Sequence, residues 1–240
     1  MRVLHLITAR GGSKGVPDKN LKEVGGLHLI GYKAIAAKRS RHCTTLAIST
    51  DSPAIQDIAR SYGVDVPFTR PEELATDTAS SVDVVRHAME HYENAGEVFD
   101  AVMLLEPTSP FATPDHLNQA VEIMQDQQAT LVVGMVRQKI NSVFVGEMDS
   151  RGRIASIVHN IRDLRNMNRQ NLAPEYTMNG AFYLFSWGAF RDCGHIYCDP
   201  DTSYGVEMDE FYSIEIDHPV DLAWADYVVR EGYVDLGAWS

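Results

Sequence analysis

Residues 7–20, ITARGGSKGVPDKN, concentrate the groups that hold a polyphosphate. Gly11, Gly12 and Gly15 carry no Cβ, so main-chain N–H groups in such a loop can turn inward around phosphate oxygens. Arg10, Lys14 and Lys19 add cations, and Asn20 an amide that both donates and accepts. No Gly-Lys-Ser/Thr ends the loop, so it is not a Walker A element. A plain strand-to-helix turn would account for the glycines, but three cations in one turn have little structural use. Near the other end, Glu215 and Asp217 lie two apart in SIEIDHPVDL, residues 213–222. Side chains two apart on a strand share a face. Carboxylates facing together repel unless a cation lies between them, and oxygen ligands suit a hard divalent ion. The alternative is a solvated edge-strand pair.

These groups need elements to position them. Residues 3–9 form a short apolar run ending in the glycine loop, which predicts a buried strand. Helical composition follows over residues 29–39, a second buried strand over 46–49, and a helix over 53–62 opened by Ser52-Pro53. Residues 64–66 predict a brief strand. A helix over 81–92 has Ser80 and Asp83 at capping-box spacing, and 101–105 reads as a strand. Thr113 and Pro114 open a helix to residue 125, and 131–136 closes the series. Strands alternating with helices predict a mostly parallel sheet covered on both faces, a three-layer α/β fold. In such sheets ligands gather at the carboxyl ends of strands, where the polar clusters at 8–20, 49–52 and 106–110 fall. Beyond residue 136 the texture changes. Residues 144–147 and 154–158 read as a hairpin around Asp149-Ser150-Arg151-Gly152. A basic, Asn-rich stretch over 160–171 follows, so 137–176 is expected to be a lobe inserted into a single domain spanning 1–240. Strands over 181–185 and 213–216 and a helix over 219–230 complete the chain.

Composition excludes several classes. The 240-residue chain is 45% hydrophobic and 22% charged, ordinary for a globular protein. Its formal net charge of −12 repels polyanions at long range, so no nucleic-acid partner is expected. An anionic small substrate remains open where a few basic residues converge. No run approaches the apolar length of a membrane span, and the start lacks a signal-peptide pattern. Cys43, Cys193 and Cys198 are an odd count without framework spacing, which suits a reducing cytoplasm. CGHIYC, residues 193–198, matches no zinc spacing, and His87 and His91 read as a polar helix face.

The glycine loop is similar to the signature of the CMP-sialic acid synthetases (acylneuraminate cytidylyltransferases) and their relatives for other keto-sugar acids. STDS (49–52), RPEELATDTASS (70–81), LLEPTSP (104–110), MNGAFY (178–183) and SIEIDHPVDL (213–222) resemble further blocks of that family in the same order. The resemblance implies a nucleotide-diphospho-sugar-transferase-like (Rossmann-like) fold and transfer of CMP from CTP to an acidic sugar, with pyrophosphate released. It implies that Ala9, Arg10, Gly11, Gly12, Ser13, Lys19 and Asn20 hold the triphosphate and ribose, and that Arg70, Ala79 and Ser81 lie near the cytosine. It makes Glu215 and Asp217 the ligands of Mg2+, with Arg10, Lys19 and Asp217 the residues closest to the chemistry. Glu106, Arg169, Asn179 and Gly180 match sugar-contacting positions, and the inserted lobe matches a segment that makes a homodimer.

The chain departs from that pattern in three places. The usual metal pair is Asp-x-Asp, whereas Glu215 is longer by one methylene. Glu106 stands where Gln is usual and Thr177 where Arg is common, so the sugar end gains a negative charge and loses a positive one. Arg169, or Arg162 or Arg165, could compensate. A carboxylate accepts hydrogen bonds but donates none unless protonated, so Glu106 favours a sugar presenting donors. GVDVPFTRPEELATDT (63–78) looks closer to bacterial members of the family, where modified acids occur, so a legionaminic- or pseudaminic-type acid is an alternative to N-acetylneuraminate, and a catalytically silent nucleotide-binding protein is an alternative from another class.

Overall fold

A computed structural model of the protein describes residues 1–13, 15–162 and 172–240. Lys14, Arg165 and Arg169 lie outside the described residues. The chain runs β1 (Val3–Thr8), β2 (Glu23–Val24), β3 (Leu27–His28), α1 (Leu29–Arg39), β4 (Cys43–Ser49), α2 (Pro53–Ser61), α3 (Ser81–Asn94) and β5 (Ala101–Leu105). It continues with α4 (Pro114–Gln127), β6 (Leu131–Arg137), α5 (Ala155–Arg162), β7 (Tyr176–Ser186), α6 (Trp187–Cys193), β8 (Ser203–Met208) and α7 (Pro219–Arg230).

The main sheet has the order β4-β1-β5-β7-β6-β8, with β2 and β3 forming a separate small ribbon. Pairings β1/β4, β1/β5 and β6/β8 are parallel, while β7 runs antiparallel to both β5 and β6. Two cores cover its faces. One packs α1, α2, α4 and α7 against side chains such as Ile7, Met103 and Leu105. The other packs α3 and α6 against Leu4, Leu6 and Leu104. This is the expected three-layer α/β arrangement. Both faces of β1 and β5 are covered, which is why β5 is an unbroken apolar run and β1 is apolar but for His5 and its terminal Thr8.

Local signals act largely as expected. Thr113 accepts from His116 N–H and His116 answers it, a full capping box behind Pro114. Ser80 caps α3 through Val82 N–H, but Asp83 does not complete a box and turns to Arg86 instead. Val64–Val66 is reduced to a single bridge from Asp65 to Ala47.

Several expectations are corrected. Residues 144–147 and 154–158 are not a hairpin: a 3-10 turn covers Ser142–Phe144, and α5 covers Ala155–Arg162. Ile154, Ile157, Val158 and Ile161 recur at helical spacing, and that period prevails over the apparent alternation. Residues 213–216 are not a strand. A 3-10 turn spans Glu210–Ser213, and the extended segment after it joins no ladder, its Ile216 N–H donating to Thr108 O at 2.7 Å. Cys193 and Cys198, read as unpaired thiols, form a disulfide. Gly194, at φ 75°, turns the chain back and brings their Cα atoms to 5.9 Å, within disulfide reach. Strand β8 and helix α6 were not legible, because each is short and lacks a clean period. Among the described residues no helix is long and apolar enough to cross a membrane.

Candidate active site

The carboxyl ends of β1 and β5 open onto a cleft of about 570 Å³, within the size range of small-ligand sites. Its walls bring together residues far apart in sequence: Arg10, Ser13, Lys19 and Asn20 from the glycine loop, Arg70, Ala79 and Ser81 before and at the start of α3, Glu106 after β5, and Asp217. Ala9, Gly11, Gly12, Asn179, Gly180 and Glu215 do not line it.

The loop is shaped by main-chain contacts. Ala9 N–H donates to Ser49 O at 3.1 Å, and Gly11 N–H to Asp51 Oδ1 at 2.9 Å. These bonds tie the loop to the end of β4. Asn20 is buried and donates to Arg10 O at 3.0 Å, leaving its Oδ1 without a partner. Such a buried acceptor beside a cleft is a ready contact for a ligand hydroxyl. Gly15 is required by proximity: a Cβ there would lie 2.4 Å from Asp217 O. The two ends of the chain therefore meet at backbone distance.

Both described cations of the loop rest on carboxylates. Arg10 Nη2 reaches Asp77 Oδ1 at 2.5 Å, and Lys19 Nζ reaches Asp217 Oδ1 at 2.9 Å. Phosphate oxygens offer the same donors an equivalent partner. Arg70 is held differently. It is buried, with Nε on Ser49 Oγ at 3.0 Å and Nη2 on Ser49 O at 2.6 Å. Burial pushes its guanidinium down to about 10, against the pull of Asp51.

Glu215 and Asp217 flank buried Ile216 in the extended segment, so both side chains point away from the core although no strand carries them. Burial, then Asp217, raises the Glu215 carboxyl above its usual range. Asp221 fastens the segment by accepting from Asp217 N–H at 3.0 Å and His218 N–H at 2.7 Å. Among the described residues no group of three or more metal-ligating side chains converges. Two carboxylates fit an ion that takes one or two protein oxygens and completes its shell with phosphate and water.

The sugar-side residues divide. Asn179 is buried and already engaged: its Nδ2 donates to Ser213 Oγ at 2.9 Å and its Oδ1 accepts from Ala181 N–H at 3.1 Å. It shapes the irregularity in β7 around Gly180, where the register with β6 shifts, and does not face the cleft. Gly180 has φ 68°, and a Cβ there would sit 2.9 Å from Ser109 Oγ and 3.6 Å from both Glu106 Oε2 and Glu215 Oε1. Glu106 and Glu215 thus border the same point beside Gly180, and burial followed by Glu215 raises the Glu106 carboxyl. Thr177 is exposed on β7, and Arg162 is exposed at the end of α5. Sequence reasoning missed Asp51, Asp77, Ser109 and the buried Lys33, whose trace was a lysine inside the apolar run of α1.

A Gly-rich loop at the end of β1, with acids brought opposite it from the far end of the chain, defines a nucleotide-binding α/β transferase. The chain belongs to the cytidylyltransferase family, whose pattern it matches over residues 4–183. It is 34% identical over 230 residues to the CMP-N,N'-diacetyllegionaminic acid synthase of Legionella pneumophila, covering 96% of this chain and 97% of that protein. It is 31% identical over 225 residues to an N-acylneuraminate cytidylyltransferase of Escherichia coli, covering 93% of this chain but 51% of that one. The chain thus spans about half the length of the latter. A solved structure of CMP:2-keto-3-deoxy-manno-octonic acid synthetase complexed with CTP superposes with a TM-score of 0.70 at 14% identity, covering 97% of this chain and all of that one. That likeness concerns the fold.

Proposed function

We propose that this cytidylyltransferase activates a nonulosonic, sialic-acid-like sugar with CTP in the cytoplasm, giving a CMP-sugar and pyrophosphate. The observation that carries the reading is the cleft, which gathers Arg10, Lys19 and Asn20 against Asp217 and Glu106 at the carboxyl ends of the strands. The end-to-end match with a CMP-legionaminic acid synthase supports the sugar class.

In the reaction, the anomeric hydroxyl of the sugar attacks the α-phosphorus of CTP and gives up its proton to solvent, an oxygen–phosphorus bond forms, and the bond to the bridging oxygen breaks, so that pyrophosphate leaves. Positioning and neutralisation of spreading negative charge account for most of the rate. Arg10 and Lys19 leave their carboxylate partners for the phosphates and hold the departing pyrophosphate. Ser13 and the Gly15 stretch of the loop, which line the cleft, bind phosphate oxygens, while Gly11 and Gly12 shape the loop behind them, and Asn20 Oδ1 accepts from the ribose. Arg70, Ala79 and Ser81 surround the cytosine. Glu215 and Asp217 would hold Mg2+, which supplies Lewis-acid neutralisation of phosphate charge and acidifies the hydroxyl. Glu106 borders the sugar, Gly180 and Asn179 shape the β7 bulge behind it, and Arg169 is a candidate cation for its carboxylate.

A second reading concerns which sugar. The end-to-end likeness to the CMP-N,N'-diacetyllegionaminic acid synthase favours a legionaminic-type acid, and Glu106, an acceptor where the family resemblance implies an amide, would face a donor of that sugar. We also propose a homodimer. Ile154, just before α5, and Val158 and Ile161 on it form an apolar stripe at 44%, 48% and 41% exposure, and such a stripe needs a cover. The test is pyrophosphate release from CTP across a panel of nonulosonic acids, with and without Mg2+. Turnover with at least one acid and none with ATP or GTP is expected. Silence on every sugar, or equal use of ATP, overturns the reading.

A further inference from the structure

Asp77 lines the cleft, yet the reaction above gives it no role of its own. Its Oδ1 accepts from Arg10 Nη2 at 2.5 Å, across 67 positions of sequence. The two side chains are 37% and 32% exposed, so the pair lies at the cleft wall and not in the core.

The segment that carries Asp77 is held mainly at its ends. Buried Arg70 fastens one end to the close of β4, its N–H on Thr50 O at 2.9 Å and its guanidinium on Ser49. Ser80, the cap of α3, fixes the other. Between them Glu72, Glu73, Thr76, Asp77 and Thr78 are exposed. The main-chain bonds there are local, as from Leu74 N–H to Pro71 O and from Ala79 N–H to Thr76 O. Arg10 sits on firmer ground. Asn20 Nδ2 donates to its carbonyl oxygen at 3.0 Å, and the next N–H, of Gly11, is held by Asp51 at 2.9 Å. A change of partner at Arg10 is therefore a side-chain movement over a fixed main chain.

A carboxylate and a phosphate offer a guanidinium the same charge-assisted bond. A polyphosphate drawn to Arg10 meets Asp77 already there. Either the carboxylate yields, or two anions share one cation, and both weaken the hold on the phosphate.

We propose that Asp77 is a positioning residue that acts through Arg10. It stands in for phosphate on the guanidinium between turnovers, and its competition keeps the grip on pyrophosphate loose enough for release. The inference rests on the phosphate-binding role given to Arg10 above. A carboxylate that merely aimed Arg10 into the cleft would have the opposite sign, since its loss would weaken phosphate binding. One that only braced the segment would change stability and leave affinity alone.

Asp77→Asn keeps the volume and removes the charge. Wild type, Asp77→Asn, Arg10→Gln and the double variant are titrated by calorimetry with inorganic pyrophosphate and with CTP at fixed Mg2+, and their urea midpoints are measured. Asp77→Asn is expected to bind pyrophosphate about fivefold more tightly, the upper end of what a partly exposed ion pair is worth. CTP should tighten in the same sense. Ser13 and Lys19 keep the Arg10→Gln protein measurable, and in that background the same change should shift affinity by about 1.5-fold or less, because no guanidinium is left to compete for. Asp77→Glu, which keeps the charge, should stay within about twofold of wild type. Weaker pyrophosphate binding by Asp77→Asn overturns the proposal in favour of aiming, and unchanged affinity overturns it in favour of bracing. Equal tightening in both backgrounds reduces Asp77 to general repulsion of anions and overturns it too. Each of these leaves the function proposed above standing, whereas a wild type that binds neither CTP nor pyrophosphate removes that function and this inference together.

Discussion

At Gly15 a single methyl group would collide with the carbonyl oxygen of Asp217, so the phosphate loop and the acidic segment touch only because this residue has no side chain. The contact brings Lys19 within 2.9 Å of Asp217, and it makes Asp217 the acid most directly committed to the cleft. Asp217→Asn keeps the volume and removes the charge. We predict a loss of turnover of about two orders of magnitude or more, the scale of removing one electrostatic stabiliser of a transition state, with an unchanged unfolding midpoint. Near-normal turnover at limiting Mg2+ would show that the paired-acid assignment is wrong. At the same scale, Arg10, Lys19 and Asp217 were legible as chemistry-bearing types. Their pairings were not, because a salt bridge depends on which loops meet.

Strand β1 carries a second kind of consequence. His5 is completely buried in it, and burial lowers its imidazole to about 4. Between pH 4 and 6.5 the unfolded chain binds a proton that the folded chain refuses, so stability falls as the solution is acidified through that window. Above pH 6.5 the ring is neutral in both states and contributes no slope. The full penalty is about 3 kcal/mol at the acid end. Replacing His5 with Leu should flatten the decline between pH 6.5 and 4 relative to wild type, as followed by urea unfolding. Parallel curves for the two proteins would contradict it. The element itself was readable, since VLHLIT is an apolar run feeding a glycine loop. Helix α5 was misread because four apolar residues at helical spacing sit between turn signals and bury no side chain of their own. Without a core to face, the strand and helix patterns were hard to tell apart.

For the whole molecule, the uncovered stripe on α5 is the clearest sign of what lies beyond one chain. We expect light scattering to give about twice the 26.7 kDa of the chain. Val158→Asp should return it to the monomer mass, and because Val158 is half-exposed its unfolding midpoint should move little, by about 0.5 kcal/mol or less. Wild type that scatters as a monomer at working concentration would remove the dimer. The sequence by itself determined the alternation of strands and helices, the glycine loop, the order of the family blocks and the paired acids, because these are local patterns of period, turn chemistry and charge. Only the tertiary structure decided that β7 runs antiparallel between β5 and β6, that Glu215 and Asp217 share a face without a strand, and that Gly15 abuts the carbonyl of Asp217. Those facts join residues tens to hundreds of positions apart, and their contacts arise from how the layers pack.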